Sequence, residues 1–225
     1  MKITFYGHAC FGIQAGNTHI LIDPFITGNP LASHININDI KADYILLTHA
    51  HQDHVLDVEA IAERTGATIV SNYEIVAYYG AKNLKGHPVN HGGTFKTDDF
   101  CAKYVNAIHT SSFADGTYGG QPGGFVITAE KISMYFAGDT ALTMDMKLIP
   151  MHNKLAYAIF PIGDNFTMGV DDAMLASDFV ECNRVIGCHY NTFPPIQIDT
   201  KAAQDKFKRS QKELILLEIG ESIEI

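Results

Sequence analysis

Arginine is scarce in this chain. Three occur among 225 residues, and 16 Lys and Arg stand against 25 Asp and Glu, for a formal charge of −9. Phosphate backbones are gripped mainly by Lys and Arg, so this balance excludes a basic nucleic-acid footprint and points to a small-molecule substrate. Long apolar runs are missing too. The nearest, Leu155 to Ile162, has the length of a strand and falls short of the ~20 residues that span a bilayer, so no membrane association is expected. The chain opens on strand-like Met1-Lys2-Ile3-Thr4, without a basic segment, apolar stretch and cleavage site, and a cytoplasmic location is expected. The four cysteines, Cys10, Cys101, Cys182 and Cys188, form no C-x-x-C pair and read as reduced core residues. Cys188 is an outside metal candidate because it precedes His189, although strand alternation points such neighbours to opposite faces. Phe113 to Gly124 is glycine-rich but lacks G-x-G-x-x-G or Walker spacing; it supports no phosphate cradle and reads as a mobile loop over a site. No linker or repeat divides the chain, which is 46% hydrophobic, so residues 1–225 read as one domain.

What is present is a concentrated run of metal-binding chemistry. Tyr44-Ile45-Leu46-Leu47 reads as a buried strand and is followed at once by Thr48-His49-Ala50-His51-Gln52-Asp53-His54. His49, His51, Asp53 and His54 are too close in sequence for a regular helix to aim all four inward, whereas a strand-to-helix loop can. Val55, Val58, Ile61 and Ala62 have helical spacing, and Gly66 is a natural stop, so a single helix is expected after the loop. Imidazole with carboxylate suits zinc, manganese, iron or nickel.

Along the rest of the chain, residues 2–6, 10–15 and 18–22 read as an antiparallel meander, with Gly16-Asn17 supplying positive φ angles for a tight hairpin. Ala67–Ser71 reads as a strand, and Asn72 as the cap of a helix running to Tyr79. Residues 87–110 have β character, and Phe125–Thr128 with Ile132–Phe136 form a hairpin. Leu155–Ile162 and Arg184–Cys188 read as strands, Asp171–Val180 and 200–212 as helices, and Glu213–Ile225 as terminal strand material. The β-α alternation implies helices outside a sheet, in two similar halves packed sheet to sheet. His109, Asp139 and His189 each follow an apolar strand, so they can converge with the first motif on one rim. His8 and Asp164 are further candidates, as a substrate-facing or orienting imidazole and as a carboxylate behind a ligand imidazole. His19, His34, His87, His91 and His152 have no motif support.

The run Thr48–His54, the later His109, Phe136-Ala137-Gly138-Asp139-Thr140 and the last His189 occur in an order that resembles the metallo-β-lactamase superfamily. Gly7-His8-Ala9-Cys10-Phe11, Leu21-Ile22-Asp23-Pro24-Phe25 and Asn191-Thr192-Phe193-Pro194 resemble its branch of metal-dependent hydrolases related to L-ascorbate-6-phosphate lactonase. This resemblance implies an α/β fold, an αβ/βα four-layer sandwich, with two divalent metal ions (zinc, manganese or nickel) at one edge. By motif, His49, His51 and His109 would hold the first ion, Asp53, His54 and His189 the second, and Asp139 would bridge them. The reaction implied is hydrolysis of a small ester, lactone or phosphodiester by a metal-bridging hydroxide, with Asp53 orienting the nucleophile and His8 beside it as the catalytic pair. A homo-oligomer is compatible with this reading. Two rival readings share the fold: an iron-dependent oxidoreductase resembling persulfide dioxygenases, and a metal-binding module without catalysis. There is no helical lid of the glyoxalase II kind and no basic arm of the tRNase Z kind. His51 in place of Glu, with no flavodoxin-like domain, argues against the oxygen-reducing di-iron relatives.

Overall fold

Apolar residues alternate along a few strands, but most strands are apolar on both faces and must be covered on both. The computed structural model describes residues 1–225, and in it this need is met by two seven-stranded sheets laid face to face. The first holds β1 (Lys2–Gly7), β2 (Cys10–Ala15), β3 (Thr18–Ile22), β4 (Tyr44–Leu46), β5 (Thr68–Ser71) and β6 (Gly86–Pro88). The second holds β7 (Thr94–Lys96), β8 (Phe100–Asn106), β9 (Gly123–Ala129), β10 (Ile132–Phe136), β11 (Leu155–Pro161) and β12 (Arg184–Cys188). The chain end is divided between them: β13 (Glu213–Ile215) extends the second sheet beside β12, and β14 (Ser222–Glu224) returns to pair with β1. Each sheet joins an antiparallel run to a parallel run, the change falling at β3/β4 in the first and at β10/β11 in the second. The halves therefore repeat one plan, as the strand pattern implied.

Inner-face residues interlock between the sheets, among them Phe11, Ile13, Ile20, Ile22 and Leu46 from one and Ala102, Tyr104, Phe125, Ile127 and Phe136 from the other. Each large side chain so buried contributes on the order of 1.5–3 kcal/mol. The opposite faces carry helices. α2 (Val58–Thr65) and α3 (Tyr73–Gly80) set Val58, Ile61, Ala62, Ile75 and Tyr79 against Leu21, Ile45 and Ile69. α4 (Val170–Phe179) and α5 (Thr200–Arg209) set Ala173, Ala176, Ala203 and Phe207 against the second sheet. The order is helix, sheet, sheet, helix, which is the metallo-β-lactamase fold and the four-layer α/β sandwich expected. No helix is long and apolar enough to cross a membrane.

Two local expectations need correction. In the β2/β3 turn only Gly16 takes a positive φ, of 58°, while Asn17 does not; the turn with positive φ at both central residues is instead Glu130-Lys131, between β9 and β10. The helix expected after His54 is α2, closed at Gly66 as its spacing implied, but Val55 belongs to a separate short helix within the motif, α1 (Gln52–Val55), and the two are broken at Asp57. The cause is tertiary. Asp57 is 3% exposed and turns its carboxylate away from the helix end to accept the backbone N–H groups of Ile26 at 2.6 Å and Thr27 at 3.0 Å, together with the Thr27 hydroxyl. Its own N–H donates to the Pro24 carbonyl at 3.1 Å. The break thereby fastens the motif loop to the segment that follows β3.

Asp57→Ala leaves the buried Ile26 N–H and the part-buried Thr27 N–H without their acceptor and should lower the urea unfolding free energy by roughly 1–3 kcal/mol. Asp57→Asn, which keeps an acceptor oxygen, should lose less.

Candidate metal centre

The motif residues are aimed by a carboxylate behind them. Asp23 follows β3 with a φ of 45°, and its side chain is fully buried. It accepts the Thr48 N–H at 2.9 Å, the Thr48 hydroxyl at 2.6 Å and His54 Nδ1–H at 2.8 Å. Because the Thr48 hydroxyl spends its proton on Asp23, it accepts from His49 Nδ1 at 3.0 Å. Both imidazoles are thus held through Nδ1, which leaves Nε2 of His49 and of His54 for the centre. The Thr48 carbonyl is fixed in turn from the other sheet, by the Tyr104 hydroxyl at 2.8 Å and Gly123 N–H at 3.0 Å. Gly138, with a φ of 65°, brings Asp139 in from β10; a Cβ there would meet Thr48 Cβ at 2.8 Å and the Gly123 carbonyl at 2.9 Å.

These constraints gather all seven motif-derived residues at one place. His49, His51 and His109 form one group and Asp53, His54 and His189, with His8, another, the candidate ligand atoms of each group lying within 4.8 Å of one another. Asp139 stands between the groups. Its Oδ2 lies 3.0 Å from His189 Nε2, 3.3 Å from His54 Nε2, 3.6 Å from His109 Nε2 and 3.9 Å from His49 Nε2. Asp53 Oδ2 lies 3.6 Å from His189 Nε2 and 4.0 Å from His54 Nε2. The donor atoms suit a metal, and their unpaired state supports this more directly: His54 Nε2, both His189 nitrogens and Asp139 Oδ1 are buried without a hydrogen-bond partner. The 3.0 and 3.3 Å approaches to Asp139 are close but lie off any hydrogen-bond line. The atoms converge on shared points rather than on each other, as ligands of a cation do.

Electrostatics agree. Burial penalises the charged form of every group here, yet Asp53 and Asp139 are both held well below the usual carboxylate range by the imidazoles of His54 and His189. Burial lowers His54 and His189, but Asp139 more than reverses this, taking His54 well above its ordinary value and His189 up to about 9. His49 goes the other way, lowered by burial and by His54. The pocket demands positive charge beside its carboxylates, and imidazolium protons supply it when no cation does.

His8 is buried beside Asp53. Its backbone carbonyl accepts His189 N–H at 2.8 Å, and its ring joins Asp53 to the loop after β12. Burial pushes it down to about 4, against the opposing hydrogen bond to Asp53, so the ring is neutral. Nε2–H donates to Asp53 Oδ2 at 3.1 Å, and Nδ1 accepts the Thr192 hydroxyl at 2.9 Å. The Asp53 side chain is 29% exposed against 4% for Asp139, so Asp53 is the more accessible of the two carboxylates.

Other expectations fare differently. Asp164 is exposed and makes no hydrogen bond to a motif imidazole; that task belongs to Asp23, which sequence reading placed in a branch motif without giving it a role. A buried Asp between a strand and Pro24 was the available signal. Cys188 is 2% exposed in the core between the sheets and joins no ligand group. His189 escapes that core because its φ of 54° breaks the strand's alternation. His19, His34, His87, His91 and His152 stay outside the cluster. The 113–124 segment is held at its two ends, while residues 114–118 are exposed. Phe113 stacks on Tyr78 with ring centres 3.6 Å apart, Asn72 Nδ2 donates to the carbonyls of Gly119 at 2.8 Å and Gln121 at 3.2 Å, and Ser111 Oγ receives Ala50 N–H at 3.1 Å.

The pKa shifts set a pH dependence for protein stripped of metal. His189 and His54 bind protons more tightly folded than unfolded, so their stabilisation is complete below about pH 6.5 and is lost as pH rises through about 9. Urea midpoints of chelator-treated protein should fall across that window, and saturating metal should abolish the fall, since the ligating imidazoles are then deprotonated throughout.

Comparison with known proteins agrees with the geometry. The family profile described as Beta-lactamase superfamily domain matches residues 2–189. A protein of Christiangramia forsetii named UPF0173 metal-dependent hydrolase is 63% identical over 226 residues, covering all of both chains, and the Bacillus subtilis UPF0173 metal-dependent hydrolase YtkL is 42% identical over 230, again covering all of both. Among solved structures, Igni18, described as a novel metallo hydrolase from the archaeon Ignicoccus hospitalis, superposes with a TM-score of 0.90 at 33% identity, covering 100% of this chain and 98% of that one. With its histidines and aspartates gathered in a cluster that fits metal, the chain belongs to the UPF0173 metal-dependent hydrolase family of the beta-lactamase superfamily.

Proposed function

We propose that this chain hydrolyses a small ester or lactone with the help of two divalent cations, zinc, manganese or nickel, and that His49, His51 and His109 would hold one, Asp53, His54 and His189 the other, with Asp139 shared between them. The observation that carries the reading is the position of Asp139 Oδ2, within 3.0–3.9 Å of histidine nitrogens from both groups. Cations bound there supply Lewis-acid polarisation of the scissile carbonyl and lower the pKa of water toward neutrality.

The protein's own groups position the reaction. His8 Nε2–H occupies Asp53 Oδ2, and the remaining lone pairs of that carboxylate orient the attacking water and receive its proton as the bond to the carbonyl forms. Asp53 is a weak base, being held well below the usual carboxylate range, so orientation is its larger contribution. Asp53, which can only accept, fixes the His8 tautomer, and Thr192 holds the other ring nitrogen.

Beside His8 and Thr192 lies a groove of about 340 Å³, bordered by Asn191, Thr200, Gln204 and Glu218 and by no Lys or Arg. Such a lining takes a neutral, hydrogen-bonding group and offers nothing to pair a phosphate. A lining without cations disfavours a phosphate-bearing substrate, and esters and lactones are favoured accordingly.

Two measurements test this. Asp139→Ala should lower bound metal in elemental analysis and reduce turnover of aryl ester and lactone substrates together, by about a hundredfold or more; a variant keeping both contradicts the shared position. His8→Ala should retain its metal while kcat falls roughly ten- to a hundredfold with KM little changed, because it loosens Asp53 without removing a ligand.

A further inference from the structure

α4 and α5 cover the second sheet over β11, β12 and β13, but the outer face of β8, β9 and β10 is roofed only by residues 144–153, a 3-10 turn (Met144–Leu148) with irregular chain after it. So short a roof cannot fill the space a full helix would, and a cavity of about 450 Å³ remains beneath it. That volume falls within the ~300–1,000 Å³ of small-molecule sites. Val105, Val126, Met146 and Ile149 make it apolar, and Leu148 and Met151 stand at its rim 57% and 69% exposed.

Tyr135 also lines it. The residue is fully buried, its ring packs edge-on against Phe160, and its hydroxyl has no hydrogen-bond partner. An unpaired buried hydroxyl is costly, and phenylalanine would fill the same space without the cost. The ionic and polar neighbours are already engaged: Lys103 Nζ donates to the Gly92 carbonyl at 3.1 Å, His91 Nε2 to the Pro122 carbonyl at 2.9 Å, and Asn106 Nδ2 to Asp145 Oδ2 at 2.6 Å. The one Lys and the one Asp of the lining are of opposite sign, so it carries no net formal charge to select an ion, while one hydroxyl is left to pair with a neutral group.

We propose that this cavity is a second binding site, apart from the metal centre, for a small, uncharged, predominantly apolar molecule with one hydrogen-bonding oxygen that pairs with Tyr135. None of the seven motif-derived residues lines it. It does adjoin the chain that carries two of them: β8 runs from the cavity toward His109, and the roof follows Asp139. Asn106 and Asp145 tie those two stretches together. The proposal does not depend on the hydrolytic reading of the metal centre.

Calorimetric titration of the metal-loaded full chain with 1-naphthol, and with naphthalene as the probe lacking an oxygen, tests it. Saturable one-to-one binding of 1-naphthol is expected, with naphthalene about tenfold weaker for want of one hydrogen bond. Tyr135→Phe should bring the two probes to equal affinity while leaving the unfolding midpoint unchanged or raised. Val105→Trp, which fills the cavity from a partly exposed position, should abolish both. Failure of either probe to saturate overturns the proposal, as does binding that survives both substitutions. A Tyr135→Phe variant that binds 1-naphthol as before but unfolds at lower urea would show water to be the hydroxyl's partner and would overturn it equally.

Discussion

One buried carboxylate organises the centre of this protein. Asp139 is almost wholly removed from water, yet its oxygens make no ordinary hydrogen bond, and imidazoles from the strand ends of both sheets crowd around it. An ionised carboxylate in such a place is unfavourable unless positive charge accompanies it. The protein alone meets the demand by holding protons on His54 and His189; divalent cations would meet it more completely, and the partnerless nitrogens mark where they would sit. Metal affinity and the stability of the folded chain are then two expressions of a single electrostatic requirement.

Holding that much polar chemistry together needs a rigid frame, and the frame is hydrophobic. The aromatic and aliphatic residues interlocked between the sheets set the distance across which the ligands meet, and hydrogen bonds carry that rigidity to the site. Tyr104 and Gly123 of the second sheet hold the Thr48 carbonyl of the first, so the motif loop is gripped from the sheet opposite its own. Asp23 then sets the rings of His49, through Thr48, and of His54, while Asp57 pins the segment leading away from β3. The carboxylates that aim the ligands are as buried as the ligands themselves.

Strand and helix content could be read from the chain because alternation and helical spacing act over a few residues. The same holds for the candidate ligands, since Thr48–His54 is a local cluster and His109, Asp139 and His189 each follow an apolar strand. The failures share a different character. The break between α1 and α2 depends on what Asp57 touches in the loop after β3, and the second helix of the motif could not be separated from the first without that contact. Asp23 looked like a strand terminus because its partners Thr48 and His54 are far off in sequence. The glycine-rich 113–124 segment has the composition of a loop, and its contacts with Asn72 and Tyr78, from α3 and its cap, could not be read from its own residues.

The amino-acid sequence by itself determined the α/β class, the repeated strand-and-helix plan and the kind of chemistry available, because side-chain type and short-range spacing settle those. Tertiary structure alone decided that His49, His54, His109 and His189 would meet around Asp139, that Asp23 and not Asp164 would stand behind a candidate ligand imidazole, and that Cys188 would face the core while His189 faced the centre. Each of those outcomes turns on packing between distant segments or on a backbone angle imposed by it, such as the positive φ at His189, and neither is encoded in the residues immediately alongside.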